Sequence, residues 1–520
     1  MNCVPNRSDV RAKNVVATSQ PLAAQAGLQA IKAGGNAIDA AIAAAATLVV
    51  VEPTGNGLGS DAFAIVHHKG ELLGWNGSGK SPRAWQYDSY SKYEQMPING
   101  WEAVTIPGAV RLWKDLSTHY GKLDFQDLLK TAISYAENGF LVSDKISQAW
   151  SESHKRFSEY HEISRVFFPN GRAPRPGELF RNPDLANSLK DISSTNTDSF
   201  YSGELARKIV SHAKSDGAYI DASDLSDHSS LQVKPLGIKF RDVELFELPP
   251  NGQGIAALIA MGILEQIEDF PKLNSLQSIH LQIEAMKLGF SAVDQYLADP
   301  EYMNIEINSL LESSVLKKHA RRISYEKCQD ISYDIPVGKG TVYLSTADEQ
   351  GNMVSFIQSN YMGFGSGIVI PETGISMQNR GCGFSLKKGH PNQVDGGKRP
   401  RHTILPAFAK KEGKPFLSFG VMGGRMQPQG HVQVLLRIVE YKQSPQEALD
   451  APRWCVLEDG RVALEGGFSN AHVEGLTALG HKLVLDQPTS LFGGGQVVMK
   501  HGDGYVAGSD SRKDGCALGC

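Results

Sequence analysis

Residues 341–358 read TVYLSTADEQGNMVSFIQ, the pattern of two β-strands joined by a turn. Thr341–Ala347 and Met353–Gln358 are strand-like, and the polar stretch Asp348–Asn352 between them is typical of a turn. The preceding residues, ISYEKCQDISYDIPVGKG over 323–340, have no helical or strand period. The chain therefore changes from irregular to regular structure where the first strand begins.

Helical patterns are clear upstream of this hairpin. Pro21–Ala33 is rich in alanine, and a glycine pair can end that helix before Asn36 caps the next one with Asp39 three residues later. Residues 37–51 are almost all apolar, which predicts a buried central helix. Apolar residues recur at spacings of three and four between 279 and 297, which predicts another helix. Helices and hairpins in one chain predict a layered α/β fold.

Composition and charge narrow the class of protein. The chain has 520 residues, a net charge of −4, and an ordinary balance of 41% hydrophobic and 21% charged residues. A protein that binds nucleic acid or an anionic membrane would need a basic excess, so neither partner is expected. Glycine is abundant, at 53 residues, which indicates many tight turns. These properties are typical of a compact globular enzyme.

Targeting and redox features are sparse. The first twenty residues contain no apolar stretch like that of a signal peptide, and the longest apolar run, Ala40–Val51, is too short to cross a bilayer. The six cysteines are scattered, without a CxxC pair or histidines at metal-ligand spacing. We therefore expect a cytoplasmic protein with unpaired thiols and no metal or other cofactor.

Residues Gly74–Ser81, GWNGSGKS, match the G-x4-G-K-[ST] pattern of the phosphate-binding loop of nucleoside triphosphatases. A strand-like segment leads into the pattern, but such a loop must also begin a long helix whose N-terminus faces the phosphates. The residues that follow, PRAWQYDSY, have no helical stripe. A structural or substrate-contacting turn is therefore favoured, and nucleotide binding is kept as an outside alternative.

The tripeptide Lys339-Gly340-Thr341 is a second candidate site. Glycine leaves its own carbonyl open to attack and lets the backbone take unusual angles. If the bond after Gly340 were cut, Thr341 would carry both a hydroxyl nucleophile and a free α-amine. The pKa of such an amine, about 7.7–8.0, suits a general base. A threonine at a strand start is more often a plain strand residue, so chemistry alone leaves both interpretations open.

A third candidate is the pair Gly423-Gly424, in FGVMGGRMQPQ just before the apolar run Val432–Val439. Backbone N–H groups of a glycine pair at a helix start can bind an oxyanion, and the helix dipole adds to the attraction. Taken alone, this pair is better interpreted as a simple turn from strand to helix.

Seven stretches of the sequence, taken together and in order, form a pattern that is much more specific than any one short motif. They are AAQAGLQAIKAGGNAIDAAIAAAATLVVVEPTGNGLG near the N-terminus, TIPGAV at 105–110, PPNGQGIAAL at 249–258, TVYLSTADEQGNMVSFIQSNYMGFGSGIV from Thr341, GKRPRHTILP at 397–406, GVMGGRMQPQGHVQVL at 420–435 and SDSRKDG at 509–515. In this order they resemble the γ-glutamyltranspeptidase family of N-terminal-nucleophile (Ntn) hydrolases over nearly the whole chain.

The resemblance implies a four-layer αββα sandwich, made as a proenzyme that cleaves itself. The pieces would be a large subunit, residues 1–340, and a small subunit, residues 341–520, forming one compact catalytic unit. Thr341 matches the nucleophile and Gly340 the residue before the cut. Ser359 falls where the family has a hydroxyl residue that hydrogen-bonds the threonine. The glycines at 423 and 424 match the oxyanion hole.

The resemblance also implies substrate contacts. His402 and Thr403 fall where transpeptidases usually carry two serines that contact the carboxylate end of the substrate. Tyr361, or alternatively Asn360, lies at the position of a substrate-side asparagine.

Two charged positions of transpeptidases are changed in this chain. Ser78 takes the place of the arginine that holds the glutamyl α-carboxylate. The stretch Arg380–Gly383, RGCG, lacks the acid that holds the α-ammonium and contains a cation instead. An arginine binds a carboxylate in a bidentate manner, so Arg380 could relocate the anion site. This pattern resembles the branch of the family that includes amidohydrolases of small acids such as oxamate.

The sequence therefore predicts a self-processing amide hydrolase or acyltransferase that forms an acyl-threonine intermediate. Its substrate would be a γ-glutamyl or related small carboxylate-bearing amide, with an oxamate-type amidohydrolase as the alternative. Alternatives of other classes are a catalytically silent homologue and a nucleotide-binding protein using Gly74–Ser81. The expected partners are the amide substrate and the two cleavage fragments as a heterodimer, with further dimerisation left open.

Overall fold

The computed structural model describes residues 7–157, 159–331 and 340–520. Two seven-stranded sheets lie face to face between two layers of helices, which is the expected αββα sandwich. Lys339 of the candidate cleavage motif lies outside the described residues.

The strands are numbered along the chain. They are β1 (Val10–Ala12), β2 (Val15–Thr18), β3 (Asp61–His68), β4 (Glu71–Gly77), β5 (Phe140–Leu141), β6 (Leu179–Phe180), β7 (Leu231–Val233), β8 (Leu236–Phe240), β9 (Val243–Glu247), β10 (Val342–Ala347), β11 (Met353–Ser359), β12 (Val369–Ile370), β13 (Ile375–Ser376), β14 (Ala407–Lys411), β15 (Lys414–Val421), β16 (Trp454–Val456), β17 (Val462–Leu464), β18 (Leu483–Val484), β19 (Gly495–His501), β20 (Gly504–Ser509) and β21 (Cys516–Gly519).

The α-helices are numbered in the same way. They are α1 (Pro21–Lys32), α2 (Ala37–Val51), α3 (Tyr87–Tyr90), α4 (Ala109–Tyr120), α5 (Phe125–Asn138), α6 (Asp144–His154), α7 (His161–Phe167), α8 (Pro183–Ser194), α9 (Asp198–Tyr201), α10 (Glu204–Ser215), α11 (Ala222–Ser226), α12 (Ile255–Leu264), α13 (Leu276–Tyr296), α14 (Ser313–Ala320), α15 (Met426–Val439), α16 (Pro445–Asp450) and α17 (Asn470–Ala478).

Both large sheets mix strands from before and after the Gly340–Thr341 bond. The first sheet has the order β21-β2-β10-β11-β3-β4-β7 and the second has the order β1-β20-β19-β15-β14-β9-β8. Neighbouring strands pair antiparallel throughout these two sheets. A cut at this bond would therefore leave two interleaved pieces that share both large sheets.

Three apolar cores hold the four layers together. Side chains of both sheets, among them Phe63, Tyr343 and Phe408, fill the space between the sheets. Helices α2 and α4 pack on the outer face of the first sheet, with α5 against α2. Helices α12 and α15 pack on the outer face of the second sheet, with α13 against α12. Every residue of α2 is buried, because this helix lies under the first sheet and is covered by its neighbours.

The local predictions from sequence are confirmed. Helix α2 spans the predicted residues, and Asn36 and Asp39 form a reciprocal capping box at its start. Strands β10 and β11 form the predicted hairpin. Helix α13 covers most of the stretch predicted between 279 and 297.

The phosphate-binding-loop pattern at Gly74–Ser81 is not followed by the long helix that such a loop requires. Gly74 and Gly77 lie within strand β4, and the residues after Ser81 lead to the single turn α3 rather than to a long helix. Gly79 packs so closely on the Ile106 carbonyl that a Cβ would lie 1.6 Å from its oxygen. This segment is a packed turn, which explains its glycines without a phosphate.

None of the described helices combines the length and the apolar character that crossing a bilayer requires.

Candidate active site

Three polar residues lie in one row across the first sheet. Ser359 of β11 is directly opposite Asp61 of β3. Thr341 precedes Val342, which is opposite Gln358, so Thr341 lies beside Ser359 on the other side. Directly opposed residues of antiparallel strands point to the same face of a sheet. The three side chains therefore project together, at the sheet end where β10 begins.

The Ser359 hydroxyl connects the two residues of the candidate cleavage site. Ser359 Oγ accepts hydrogen bonds from Thr341 Oγ1 at 3.1 Å and from the Tyr361 N–H at 2.8 Å. It donates to the carbonyl oxygen of Gly340 at 2.5 Å. A hydroxyl has one proton and two lone pairs, so all its bonding capacity is used and its orientation is fixed. Ser359 thus holds the Thr341 hydroxyl beside the carbonyl that the sequence predicts it attacks.

Gly340 is packed too closely for any other residue. A Cβ at this position would lie 2.8 Å from the Gly363 nitrogen, 2.9 Å from the Met362 carbonyl carbon and 3.0 Å from the Tyr361 carbonyl oxygen. All three are backbone atoms and cannot swing aside. Glycine therefore lets the carbonyl reach Ser359.

A cavity of about 440 Å³ opens beside Thr341. Thr341 itself is 4% exposed, and Gly340, Gly55 and Gly423 line the same space. Its charged rim consists of Lys145, Glu152, Arg156, Arg512 and Lys513. The cavity is large enough for a small amide substrate.

The Gly423-Gly424 pair presents backbone N–H groups at a helix start, and Gly423 lines the same cavity as Thr341. Both residues have positive φ, +114° and +57°, which favours glycine at each position. Their carbonyls accept from the N–H groups of Met426 and Gln427, but their own N–H groups donate to no described residue. Since the pair lies between the end of β15 and the start of α15, the helix dipole favours an anion there.

A second cluster contains the predicted substrate contacts. Arg380 is 1% exposed, its Nη1 donates to Thr403 Oγ1 at 2.8 Å, and its guanidinium lies 4.8 Å from the centre of the Tyr361 ring. Its Nε and Nη2 have no hydrogen-bond partner in the described structure. Burial lowers the pKa of Arg380 to about 10, so the group stays charged at neutral pH. Two N–H groups of a buried cation are thus available to an anion.

Arg380 and Thr403 also line a small cavity together with Tyr361, Gly383 and Arg401. Its volume of about 10 Å³ leaves room for one small polar group. Gln253 links this cluster to the Gly423-Gly424 pair, because its Nε2 donates to the carbonyls of Thr403 and Gly424, both at 3.0 Å.

His402 and Asp61 form a buried pair beside Arg380. His402 Nε2 lies 3.1 Å from Asp61 Oδ2, and Asp61 Oδ1 accepts from the N–H groups of Gly79 and Gly108. Burial raises the pKa of Asp61 to about 7, although the charge of Arg380 opposes that shift. Burial, together with the charge of Arg380, lowers the pKa of His402 well below its usual value, so this ring is neutral.

Two other predicted contacts are occupied by neighbouring side chains. The Ser78 hydroxyl donates to Asn76 Oδ1 at 2.7 Å and lies 3.3 Å from Asn251 Nδ2, and Ser78 lines neither of the two cavities described above. The Asn360 amide bonds to the hydroxyls of Ser60 and Ser376. Of the two alternatives at the asparagine position, Tyr361 is the one that touches Arg380.

Sequence reasoning missed Asp61 and Gln253. Asp61 was hidden at the start of an apolar strand, where a carboxylate in an otherwise buried segment was the available signal. Gln253 lies in the PPNGQG stretch, and nothing local indicated that its amide joins two remote carbonyls.

The one described cluster with metal-ligating side chains serves a structural purpose. His280, Glu284 and His481 bring their ligand atoms within 4.8 Å of one another. His280 and His481 hydrogen-bond each other, while Glu284 binds Lys287 and the N–H groups of Gln329. The facing nitrogens of the two histidines and the Glu284 oxygens are thus already paired within the protein, and the cluster fixes the segment at Gln329, while His481 Nδ1 has no hydrogen-bond partner among the described residues.

Comparison with known proteins identifies the family. The family model described as Gamma-glutamyltranspeptidase matches residues 23–520. This chain belongs to the γ-glutamyltranspeptidase family. It is 35% identical to the glutathione hydrolase-like YwrD proenzyme of Bacillus subtilis (strain 168), covering 99% of this chain and 100% of that protein.

Two further relatives are named for different activities. The oxamate amidohydrolase proenzyme of Klebsiella pneumoniae subsp. pneumoniae is 32% identical, covering 98% of this chain and 99% of that protein. The crystal structure of cephalosporin acylase from Bacillus halodurans is 43% identical, with a TM-score of 0.96, and the match covers 100% of this chain and 98% of that one. The γ-glutamyltranspeptidase family member described here is accordingly an Ntn-type proenzyme hydrolase or acyltransferase.

Proposed function

We propose that this chain cleaves itself between Gly340 and Thr341 and then uses Thr341 as the nucleophile of an amide hydrolase. The observation that carries the proposal is the Ser359 hydroxyl, bonded at once to the Thr341 hydroxyl and to the Gly340 carbonyl. A nucleophile, its target and a hydrogen-bond donor to the developing oxyanion are thereby assembled before any substrate arrives.

Self-cleavage proceeds through an ester. Thr341 Oγ1 attacks the Gly340 carbonyl carbon, and the hydroxyl proton passes to the Thr341 nitrogen as the C–N bond breaks. Water then hydrolyses the ester, which leaves a carboxylate on Gly340 and a free α-amine on Thr341. Ser359 donates to the carbonyl oxygen throughout, so it stabilises the negative charge in the transition state.

The two products are residues 1–340 and 341–520. They remain associated because β10 and β11 of the small piece are flanked by β2 and β3 of the large one. The processed enzyme is therefore a heterodimer with one continuous core.

Turnover of a substrate uses the same nucleophile. The α-amine of Thr341 takes the hydroxyl proton as Oγ1 attacks the amide carbonyl, and it returns the proton to the leaving amine. The N–H groups of Gly423 and Gly424 bind the oxyanion. An acyl-threonine ester results, and water or an acceptor amine releases the acyl group.

The acyl group carries a carboxylate that binds Arg380. Its unpaired Nε and Nη2 are buried, and a carboxylate satisfies two parallel N–H donors at once. Thr403 and Gln253 connect this arginine to Gly424 through hydrogen bonds, which supports placing the acyl carboxylate and the oxyanion in one site. The preferred substrate is a small amide with one carboxylate, such as oxamate or a glutaryl amide.

A γ-glutamyl substrate is the second candidate. The relatives named as glutathione hydrolases favour it. The charges of this site oppose it, because residues 380–383 contain no acid for the α-ammonium and Asp61 is already bonded to His402 and two backbone N–H groups.

A matched substrate series tests the proposal. Glutaryl p-nitroanilide is γ-glutamyl p-nitroanilide without the α-amine, and butyryl p-nitroanilide lacks the carboxylate as well. We expect kcat/KM on the processed enzyme to be highest for the glutaryl compound. Equal turnover of the glutaryl and butyryl compounds would contradict recognition of a carboxylate on the acyl group. No turnover of any amide, including oxamate and glutathione, would indicate a catalytically silent homologue.

A further inference from the structure

We propose that Asp61 makes carboxylate recognition proton-linked: an acyl carboxylate binds at Arg380 together with one proton that is taken up by Asp61. The inference rests on the proposed function and deepens it, since it assigns a specificity-determining role to a residue outside the family-like motif positions. It concerns binding of the acyl group and leaves the chemical step at Thr341 unchanged.

The position of Asp61 carries the argument. It lies in the row of Thr341 and Ser359, directly opposite Ser359, and so projects onto the same face of the sheet as the candidate nucleophile. Its carboxyl is fully buried and bonded to His402, which is adjacent in the chain to Thr403. Thr403 is in turn the partner of Arg380.

Arg380 and Asp61 influence each other without forming a direct ion pair. No described ion pair joins them within 4.0 Å, but Arg380 is the charge that acts most strongly on Asp61. Two guanidinium N–H groups of Arg380 stay unpaired. The arginine is thus partly compensated by a nearby anion, yet it keeps its donors for an incoming one.

The other groups that face Asp61 leave it as the proton acceptor. His402 donates from Nε2, because its Nδ1 accepts from the Ile404 N–H, and its ring is neutral. Arg399 adds a second positive charge, and the Tyr201 hydroxyl, whose pKa is raised by burial, stays protonated. Of these groups, Asp61 alone can change charge near neutral pH.

A second carboxylate entering this site raises the cost of keeping Asp61 ionised. Two carboxylates in a buried site repel each other, so the pKa of the resident acid rises when the second one binds. Asp61 has a pKa of about 7 in the free enzyme, so substrate binding shifts it into the protonated form over the working pH range. Carboxylate affinity is then full below pH 7 and falls as the pH rises through and above that value.

The test uses the ratio of KM for glutaryl p-nitroanilide to KM for butyryl p-nitroanilide between pH 6 and pH 9. Ionisation of Thr341 affects both substrates alike and cancels in the ratio. We expect the ratio to rise about tenfold over this range, since a coupling of one pKa unit corresponds to a factor of ten. A flat ratio, with the glutaryl compound still preferred, would overturn the proton linkage while leaving the proposed function intact.

Asp61→Asn removes the titrating group. Its Oδ1 can still accept from Gly79 and Gly108, and we expect a KM ratio that no longer changes with pH. Asp39→Asn is the matched control, because Asp39 is also a buried carboxyl with a raised pKa but caps α2 instead. The control should keep the pH dependence of the wild type.

Asp61→Asn could fail to fold, because the amide of the new asparagine would direct an N–H group toward the N–H of His402 Nε2. A calorimetric measurement on the wild type tests the inference without this variant. Glutarate is titrated calorimetrically into the processed enzyme at pH 8, in two buffers of different ionisation enthalpy. Uptake of about 0.4 proton per glutarate is expected at pH 8 for a coupling of one pKa unit, falling to about 0.1 at pH 6. Binding without proton uptake at pH 8 would overturn the inference.

Discussion

The hydroxyl groups of Thr341 and Ser359 lie 3.1 Å apart, and Ser359 also donates to the carbonyl of Gly340 at 2.5 Å. This geometry suits the proposal that one serine orients the nucleophile and polarises the bond that it attacks. These residues share a row with Asp61, so the proposed processing site and the proposed acyl-recognition residue lie at the same end of one sheet.

Ser359→Ala should slow self-cleavage. Loss of one oxyanion donor commonly costs about 10²–10³ in rate. The fraction cleaved against time, followed by denaturing electrophoresis after synthesis, measures the effect. Ser359→Thr restores a hydroxyl and should recover part of the rate, whereas cleavage of Ser359→Ala at the wild-type rate would remove Ser359 from the mechanism.

Arg380→Ala should reduce kcat/KM for glutaryl p-nitroanilide by about ten- to a hundredfold, because a hydrogen bond to a charged group contributes about 1.5–3 kcal/mol. The butyryl compound serves as the internal control and should be affected little. Efficient γ-glutamyl turnover that Arg380→Ala leaves unchanged would mean that other residues recognise the acyl group.

Asp510 should stabilise the fold in a pH-dependent way. Burial raises the pKa of Asp510, but the charges of Arg453 and Arg512 more than offset this and lower it to about 2. The stabilisation is therefore complete above the unfolded value of about 3.9 and disappears as the pH falls toward 2. Its size is about 2–3 kcal/mol by the same linkage.

Asp510→Asn removes the buried carboxylate that pairs with Arg453 and Arg512, and it should destabilise the protein by about 3–5 kcal/mol at pH 7. Chemical denaturation of the wild type and the variant at pH 7 and pH 3 measures both effects. The difference between the two proteins should shrink at pH 3, and a constant difference would contradict the assignment.

Lys80→Ala should leave activity within about twofold of the wild type, because Lys80 is half-exposed in a loop and its nearest carboxylate partner, Glu301, lies 3.9 Å away. Millimolar Mg-ATP should not raise the melting temperature. A clear ATP-dependent increase, lost in Lys80→Ala, would restore the nucleotide-binding interpretation of Gly74–Ser81.

Local features of this chain were predictable from sequence and long-range ones were not. Helix α2 and the β10–β11 hairpin follow from capping residues and apolar periods that lie within a few residues of each other. The Asp61–His402 contact joins residues 341 positions apart, so no local pattern could reveal it. The position of Thr341 was found through the family resemblance, since a threonine at a strand start is not distinctive alone.

The predicted substrate contacts also differ in how well the sequence indicates their surroundings. Arg380 is distinctive in the sequence because it is a cation in a stretch where the family has an acid, and the structure brings it to Thr403 and Tyr361. Ser78 is predicted from its place in a loop where the family has an arginine, and its hydroxyl bonds Asn76 and Asn251. Hydrogen bonding in a folded loop depends on remote strands, which alignment to a motif does not describe.

The mass of the purified protein under denaturing conditions tests self-processing at Thr341 most directly. Without added protease, the wild type should give two species, residues 1–340 and 341–520, and the second should begin with threonine. Thr341→Ala should remain one chain of 520 residues, and Thr341→Ser should be partly cleaved because a hydroxyl and an amine remain. An active enzyme that stays intact, or one whose new N-terminus is a residue other than Thr341, would contradict the account.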